Sequence, residues 1–145
     1  MSSVIASPAP APHFRKKTVA ATLALLLGWA GAHHAYLGRR LAWVPLVFTV
    51  LIVGIALWRD PPLFSQLPYY LVLIPLAAGF VESVVLCLMA DARFDARYNV
   101  GQERRSANRW GAIVLGMVAL NLGMFVILLH VVMASLAMVD GTLGL

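Results

Sequence analysis

The chain has 145 residues, 61% hydrophobic and only 12% charged, with a formal net charge of +5. Ordinary soluble domains hold roughly 45–50% apolar and about 25% charged residues, so composition excludes a water-soluble fold that hides this much apolar surface. A basic balance can also signal nucleic acid, but here the cations flank apolar runs and no basic helix is interleaved with stacking aromatics, so nucleic acid is excluded as a partner.

In chain order, residues 1–13 (MSSVIASPAPAPH) alternate proline with small residues and predict an extended, disordered tail that reaches the cations at 15–17. An apolar run over 18–32 follows, which HHAYL carries on to residue 37. Basic residues, an apolar core and AGA before His33 meet the loose pattern of a secretory leader, but a long tail before the cations is atypical of one. An uncleaved, short membrane helix is expected instead. Residues 41–58 carry no charge and have Trp43 and Trp58 near their two ends, as belt residues should be. Pro45 falls in the first turn, where a missing N–H costs little. RDPPLFSQLP then breaks the helix.

Residues 68–90 form the third run, opened by Tyr69 and Tyr70 and expected to kink at Pro75. A polar stretch over 91–109 separates it from a fourth run over 111–139, which is longer than a crossing requires and should tilt or emerge. Backbone in lipid must be bonded internally and no strand pattern offers a barrel, so the spans are helices. The fold class read from sequence is therefore all-α: a helical integral membrane protein with three to four membrane helices, the first one short. The lone Cys87, inside the third run, excludes an intrachain disulfide and any CxxC motif.

Charge placement bears on orientation. Lysines and arginines number three before the first run, two after it, one after the second, five after the third and none at the end. Four crossings divide them seven to four; if the first run dips without crossing, the division is ten to one. The positive-inside rule then puts the 91–109 loop in the cytoplasm and leaves the side of the N-terminus open. The 38–40 and 91–109 segments share one side in each arrangement.

The stretch GWAGAHHAYLGRR, residues 28–40, interrupts the apolar pattern with histidines, a tyrosine and arginines. It reads as a turn at the membrane interface: Gly31 and Gly38 permit close approach and reversal, while Tyr36, Arg39 and Arg40 are amphipathic groups suited to headgroup depth. With its cationic start and short apolar helix, this stretch resembles the TM2-domain family of small membrane proteins, whose turn reads Gly-Ala-His-Arg-Phe-Tyr-Leu-Gly. Gly31, Ala32, His33, Tyr36, Leu37 and Gly38 match, whereas His34 replaces the usual Arg and Ala35 the usual Phe. A later helix with an acidic residue, here Glu82 in GFVESVVL, resembles another family feature. The resemblance implies a longer version of a two-helix architecture and no reaction: a tail over 1–17, a TM2-like unit over 18–60, a third helix with basic loop over 61–110, and a fourth helix with short tail over 111–145. It also points, with nine arginines against two lysines, to a bacterial inner membrane.

Glu82 is the sharpest functional signal, because ionisable residues at membrane depth are costly and face protein or water. It lies eight residues before Ala90, about 12 Å below that boundary at 1.5 Å per residue. In an antiparallel hairpin Asn121 reaches about 15 Å depth, whereas His130 lies at about 28 Å. Glu82 is therefore expected to bond to Asn121, to His33 and His34, or to both, with His130 satisfied near the opposite interface. The two adjacent histidines lack the three- or four-residue spacing of helical metal pairs, so no metal ligand, cofactor or catalytic residue is assigned.

DARFDARY places Phe94 and Tyr98 on one helical face and Arg93 and Arg97 on another. It reads as an interfacial anchor with aromatics in the acyl boundary and arginines at phosphate, stopped by Asn99 and Gly101. Small residues four apart, Ala112 with Gly116 and Ala119 with Gly123, suit close helix packing. No convergent constellation of nucleophile, base and oxyanion donor appears. The expected function is a non-enzymatic membrane interaction or assembly factor. Its partners would be the lipid bilayer and a membrane protein or a second copy. The alternative is a small transporter or channel subunit that uses Glu82.

Overall fold

The computed structural model describes residues 13–58, 67–107 and 109–139, and the regular structure among them is entirely helical. The helices are α1 (Lys17–Leu27), α2 (Ala32–Tyr36), α3 (Val44–Trp58), α4 (Leu67–Leu71), α5 (Leu73–Leu88), α6 (Asp91–Tyr98) and α7 (Arg109–Val139), with a 3-10 turn at Gly28–Ala30. The tail before residue 13 and the proline-rich 59–66 segment lie outside the described residues.

The central helix is α5, which packs α1 on one face and α7 on another. Along α1 the residues Lys17, Ala20, Ala21, Ala24 and Leu25 are buried, a stripe with helical spacing that the alanines keep thin. Small side chains let backbones approach, and van der Waals contact then holds the pair without any hydrophobic drive between helices. The closest approach is between Gly28 and Gly79: a methyl group on Gly79 would lie 2.7 Å from the Gly28 Cα and 2.8 Å from the Ala24 carbonyl oxygen. Nearer the other end of this seam, buried Ser83 donates from Oγ to the Ala21 carbonyl (2.9 Å), and the Lys17 ammonium donates to the Met89 carbonyl (3.0 Å). Position 17 is thus level with 89 and position 28 with 79, so α1 and α5 are antiparallel.

The seam between α5 and α7 follows the same logic. Gly116 faces the Cys87 Cβ and Gly123 faces the Phe80 Cβ, at 3.0 and 2.9 Å from where a methyl group would sit. Ala112 and Ala119 are buried beside them, so the small residues spaced four apart line an intramolecular contact. Two clusters form the core: Ala20, Ala21, Ala24, Leu37, Leu86, Cys87 and Phe94 in one, Leu25, Phe80 and Ala119 in the other.

Several sequence expectations need correction. The first run is not one helix: it unwinds at Gly28–Ala30, and Gly31 adopts φ +69°, a left-handed conformation that glycine takes without a Cβ penalty. The chain then returns along α2. The tyrosine hydroxyl of Tyr36 accepts from the Lys16 N–H (2.8 Å), and a methyl group on Gly38 would lie 2.7 Å from an Arg15 guanidinium nitrogen. Residues 17–38 therefore form a helical hairpin whose two ends meet. The tail reading also stops short of residue 15, because the Arg15 N–H and C=O bond reciprocally to the Asn99 side chain (2.9 and 3.0 Å).

The third run is interrupted at Val72, between α4 and α5, where the backbone keeps helical angles (φ −63°, ψ −23°), in keeping with the kink expected at Pro75. Proline has no N–H for the carbonyl four residues back, here Leu71, and its ring crowds that carbonyl. The third run also ends before α6: Met89 and Ala90 are extended (ψ 132° and 139°), which turns α6 underneath α1. As a result Phe94 is 0% exposed and packs in the protein core instead of the acyl boundary, with Tyr98 tilted against it. Arg93 and Arg97 stay exposed on the other face as expected.

Candidate functional site

At its near end the hairpin places the histidines against α5. Buried His33 donates from Nε2 to Glu82 Oε2 (2.8 Å), and His34 Nε2 lies 3.4 Å from Oε1 of the same carboxylate. The two rings are 4.0 Å apart, centre to centre. Arg39 completes the cluster from above: its Nη1 is 2.9 Å from His34 Nδ1 and 3.4 Å from Glu82 Oε2, and its Nη2 donates to the Tyr98 hydroxyl (3.3 Å). An arginine can only donate, so His34 Nδ1 is the acceptor and the ring's proton sits on Nε2, toward Glu82. His33 Nδ1 is buried without a hydrogen-bond partner, an arrangement that costs on the order of 1–3 kcal/mol for a buried polar atom.

Glu82 thus meets His33 and His34 but not Asn121. The depth estimate holds, since the glycine contacts pair positions 116 with 87 and 123 with 80, which puts 121 level with 82. The azimuth differs. The face of α5 toward α7 carries Phe80, Val84 and Cys87, and Glu82 is two residues from Phe80, on roughly the opposite side at 100° per residue. Asn121 is likewise two residues from buried Ala119, and it donates instead to the Met117 carbonyl one turn back (2.8 Å). His130 bonds to the Val126 carbonyl (2.8 Å) and stacks on Tyr69 of α4 (5.7 Å, 11°).

A cavity of about 200 Å³ opens beside Glu82, walled by His33, His34, Pro45, Phe48, Pro75 and Ala78. On its outer side α3 is tethered by Thr49, whose hydroxyl donates to the Trp29 carbonyl (3.0 Å).

Sequence reasoning missed a second polar centre. Asp95, 1% exposed, accepts from Asn99 Nδ2 (2.8 Å), the Ser106 N–H (2.7 Å) and the Ser106 hydroxyl (2.6 Å). Covering by its neighbours pushes this carboxyl up, but the Ser106 and Asn99 bonds and the Arg105 charge together outweigh that and hold it below the usual aspartate range. The signal was present in the four-residue spacing of Asp95 and Asn99 at a helix end. The partner Ser106 was not, because loop closure brings it in. Lys17, which is 6% exposed, pairs with Asp91 in the same region. Lys16, Arg104 and Arg105 line a neighbouring cleft of about 240 Å³, in which Arg104 lies over the Phe14 ring (4.8 Å).

Tyr69–Leu88 and Trp110–Val139 are long and apolar enough to cross a bilayer. Their outer faces expose large side chains in unbroken succession, such as Met117, Leu120, Met124, Phe125 and Leu128. A surface of that kind is stable in lipid and not in water, so the chain is a helical membrane protein. Residues 13–60, the hairpin and α3 included, match the family model of the TM2 domain. This agrees with the resemblance read in the 28–40 stretch, and Glu82 lies beyond the matched residues. No curated protein and no solved structure matches the chain.

Proposed function

We propose that the protein is a non-enzymatic, multi-pass membrane factor that acts by binding another membrane protein or a second copy, in a bacterial cytoplasmic membrane. In this reading α3, α5 and α7 cross and the α1–α2 hairpin enters and returns. The observation that carries it is the meeting of Arg15 and Lys16 with Gly38, Tyr36 and Asn99, which supports a common side for residues 13–17, 38–40 and 91–107. The helix α1, with 11 residues, rises about 16 Å, half of a hydrocarbon core of about 30 Å. Ten of the eleven lysines and arginines then flank the membrane on that side, the cytoplasmic one by the positive-inside rule. With its carboxylate held by three side chains of its own chain, Glu82 serves as glue between hairpin and α5.

Two measurements test this. In a Cys87→Ser background, single cysteines at Lys16, Arg39 and Gln102 should resist an impermeant maleimide in intact cells, and one at Thr142 should react. Labelling of Lys16 and Arg39 on opposite sides would sink the topology. Photoreactive residues at Arg97 and Met117 should capture a defined membrane protein or a second copy. Capture of neither would overturn the interaction reading. The cavity beside Glu82 supports a second reading, a path for ions or protons, which predicts flux lost in Glu82→Gln.

A further inference from the structure

We propose that His33, His34 and Glu82 form a binding site for a divalent transition metal of the zinc class, gated by Arg39. Three donors of the types zinc prefers converge here, with ligating atoms all within 4.8 Å of one another. A zinc ion with bonds of about 2.0–2.1 Å in tetrahedral array needs donors roughly 3.3 Å apart; the two imidazole Nε2 atoms stand 2.8 and 3.4 Å from the carboxylate oxygens. Three protein ligands leave one position open, and all three residues line the cavity of about 200 Å³, which has room for a further ligand. Sites with three ligands and an open position are those where a metal exchanges or takes a further ligand.

The adjacency of the two histidines, which argues against a metal pair within one helix, loses its force in the fold. The left-handed turn at Gly31 and the short α2 present both rings to Glu82, 49 positions beyond His33 in the chain. Glu82 supplies the third ligand that no nearby position offers.

Metal binding also dictates where two protons go. Each Nε2 must give up its hydrogen to ligate, and the proton is taken by the same ring's Nδ1. In His33 that atom is unpartnered and free to accept it. In His34 it currently accepts from Arg39 Nη1; once protonated it faces a second donor, and the guanidinium is expelled. Arg39 is 40% exposed and already touches Tyr98, so it has somewhere to go. Arginine contact and metal occupancy are thus mutually exclusive states of one site.

The test uses the full chain, purified in detergent and stripped with a chelator, titrated with Co²⁺ and then Zn²⁺. The expected result is a visible cobalt absorption band saturating at one equivalent per chain and bleached by zinc. Glu82→Gln and His34→Ala should each weaken binding by on the order of 100-fold, at least the effect of losing an outer partner of a ligand. Arg39→Gln should strengthen it about tenfold by removing a cation that competes for the same carboxylate. Absence of the band, or affinities unchanged in both ligand variants, would overturn the proposal. X-ray absorption of the zinc-loaded unmodified chain is a second readout independent of variant folding: two imidazoles support the site, and none refutes it. Neither readout depends on topology or on a protein partner, so failure here and failure of the proposed function are separate results.

Discussion

Gly79→Ala should loosen the whole hairpin. The added methyl group would sit 2.7 Å from the Gly28 Cα and 2.8 Å from the Ala24 carbonyl oxygen, both backbone atoms that cannot rotate away. Ordinary contacts between carbons lie at about 3.5–4.0 Å, so α1 and α5 must part by most of an ångström. A gap of 0.5–1 Å forfeits roughly a quarter to a half of each dispersion contact, and the seam involves Ala20, Ala21, Ala24 and Leu86 together. The Ser83 bond to Ala21, 2.9 Å long, would stretch and lose about 1 kcal/mol more. Alanine's better helix propensity offsets about 1 kcal/mol, and the net destabilisation is roughly 2–3 kcal/mol, in the range seen for overpacked cores. Thermal unfolding in detergent should show a midpoint lowered by on the order of 5–10 °C. Gly54→Ala on α3 is the matched control, because a methyl group there meets nothing within 4 Å; it should leave the midpoint unchanged or slightly raised. A Gly79→Ala protein as stable as the original, or a Gly54→Ala protein equally damaged, would refute the close-packed seam.

Two further outcomes follow from the buried polar groups. Ser83→Ala removes one buried donor while the Ala21 carbonyl keeps its place in the helix, so the thermal midpoint should fall by the equivalent of about 1 kcal/mol; a rise would mean that the hydroxyl bond contributes nothing. Asp95→Asn should free the 99–107 loop and lower stability by about 1–2 kcal/mol at neutral pH. The Asp95 carboxyl is lowered from an ordinary 3.8 in the folded chain, so its stabilisation is complete above that value and is lost as pH falls through the folded one. The difference in midpoint between the original and Asp95→Asn should therefore stay constant from pH 7 to about 5 and close below about 4; a gap that persists in acid would contradict the charge-based account.

Much of the fold could be read from local pattern. Period, length and charge-free runs pointed to the helical class, the turn within residues 28–40 and the small-residue seam on α7, because each depends on neighbours within one or two turns. The depth arithmetic that set Asn121 level with Glu82 was right for the same reason, since helical rise is fixed. Which way each side chain points around its helix was not readable, so the choice among the expected partners stayed open: Glu82 meets His33 and His34, and Asn121 turns elsewhere. Phe94 was read as a lipid anchor because its helix is amphipathic, yet an extended pair at Met89–Ala90 swung it into the core. Periodicity says that a face is apolar and not whether protein or lipid covers it.

The sequence by itself determined that this is a helical chain built for lipid, since apolar content and run length are properties of composition and order. Only the tertiary structure decided that the first run folds back on itself. That outcome rests on a left-handed Gly31 and on contacts joining Arg15 and Lys16 to Tyr36, Gly38 and Asn99. Such contacts link residues up to 84 positions apart, so no local propensity encodes them; they form because buried polar groups must find partners once the helices pack.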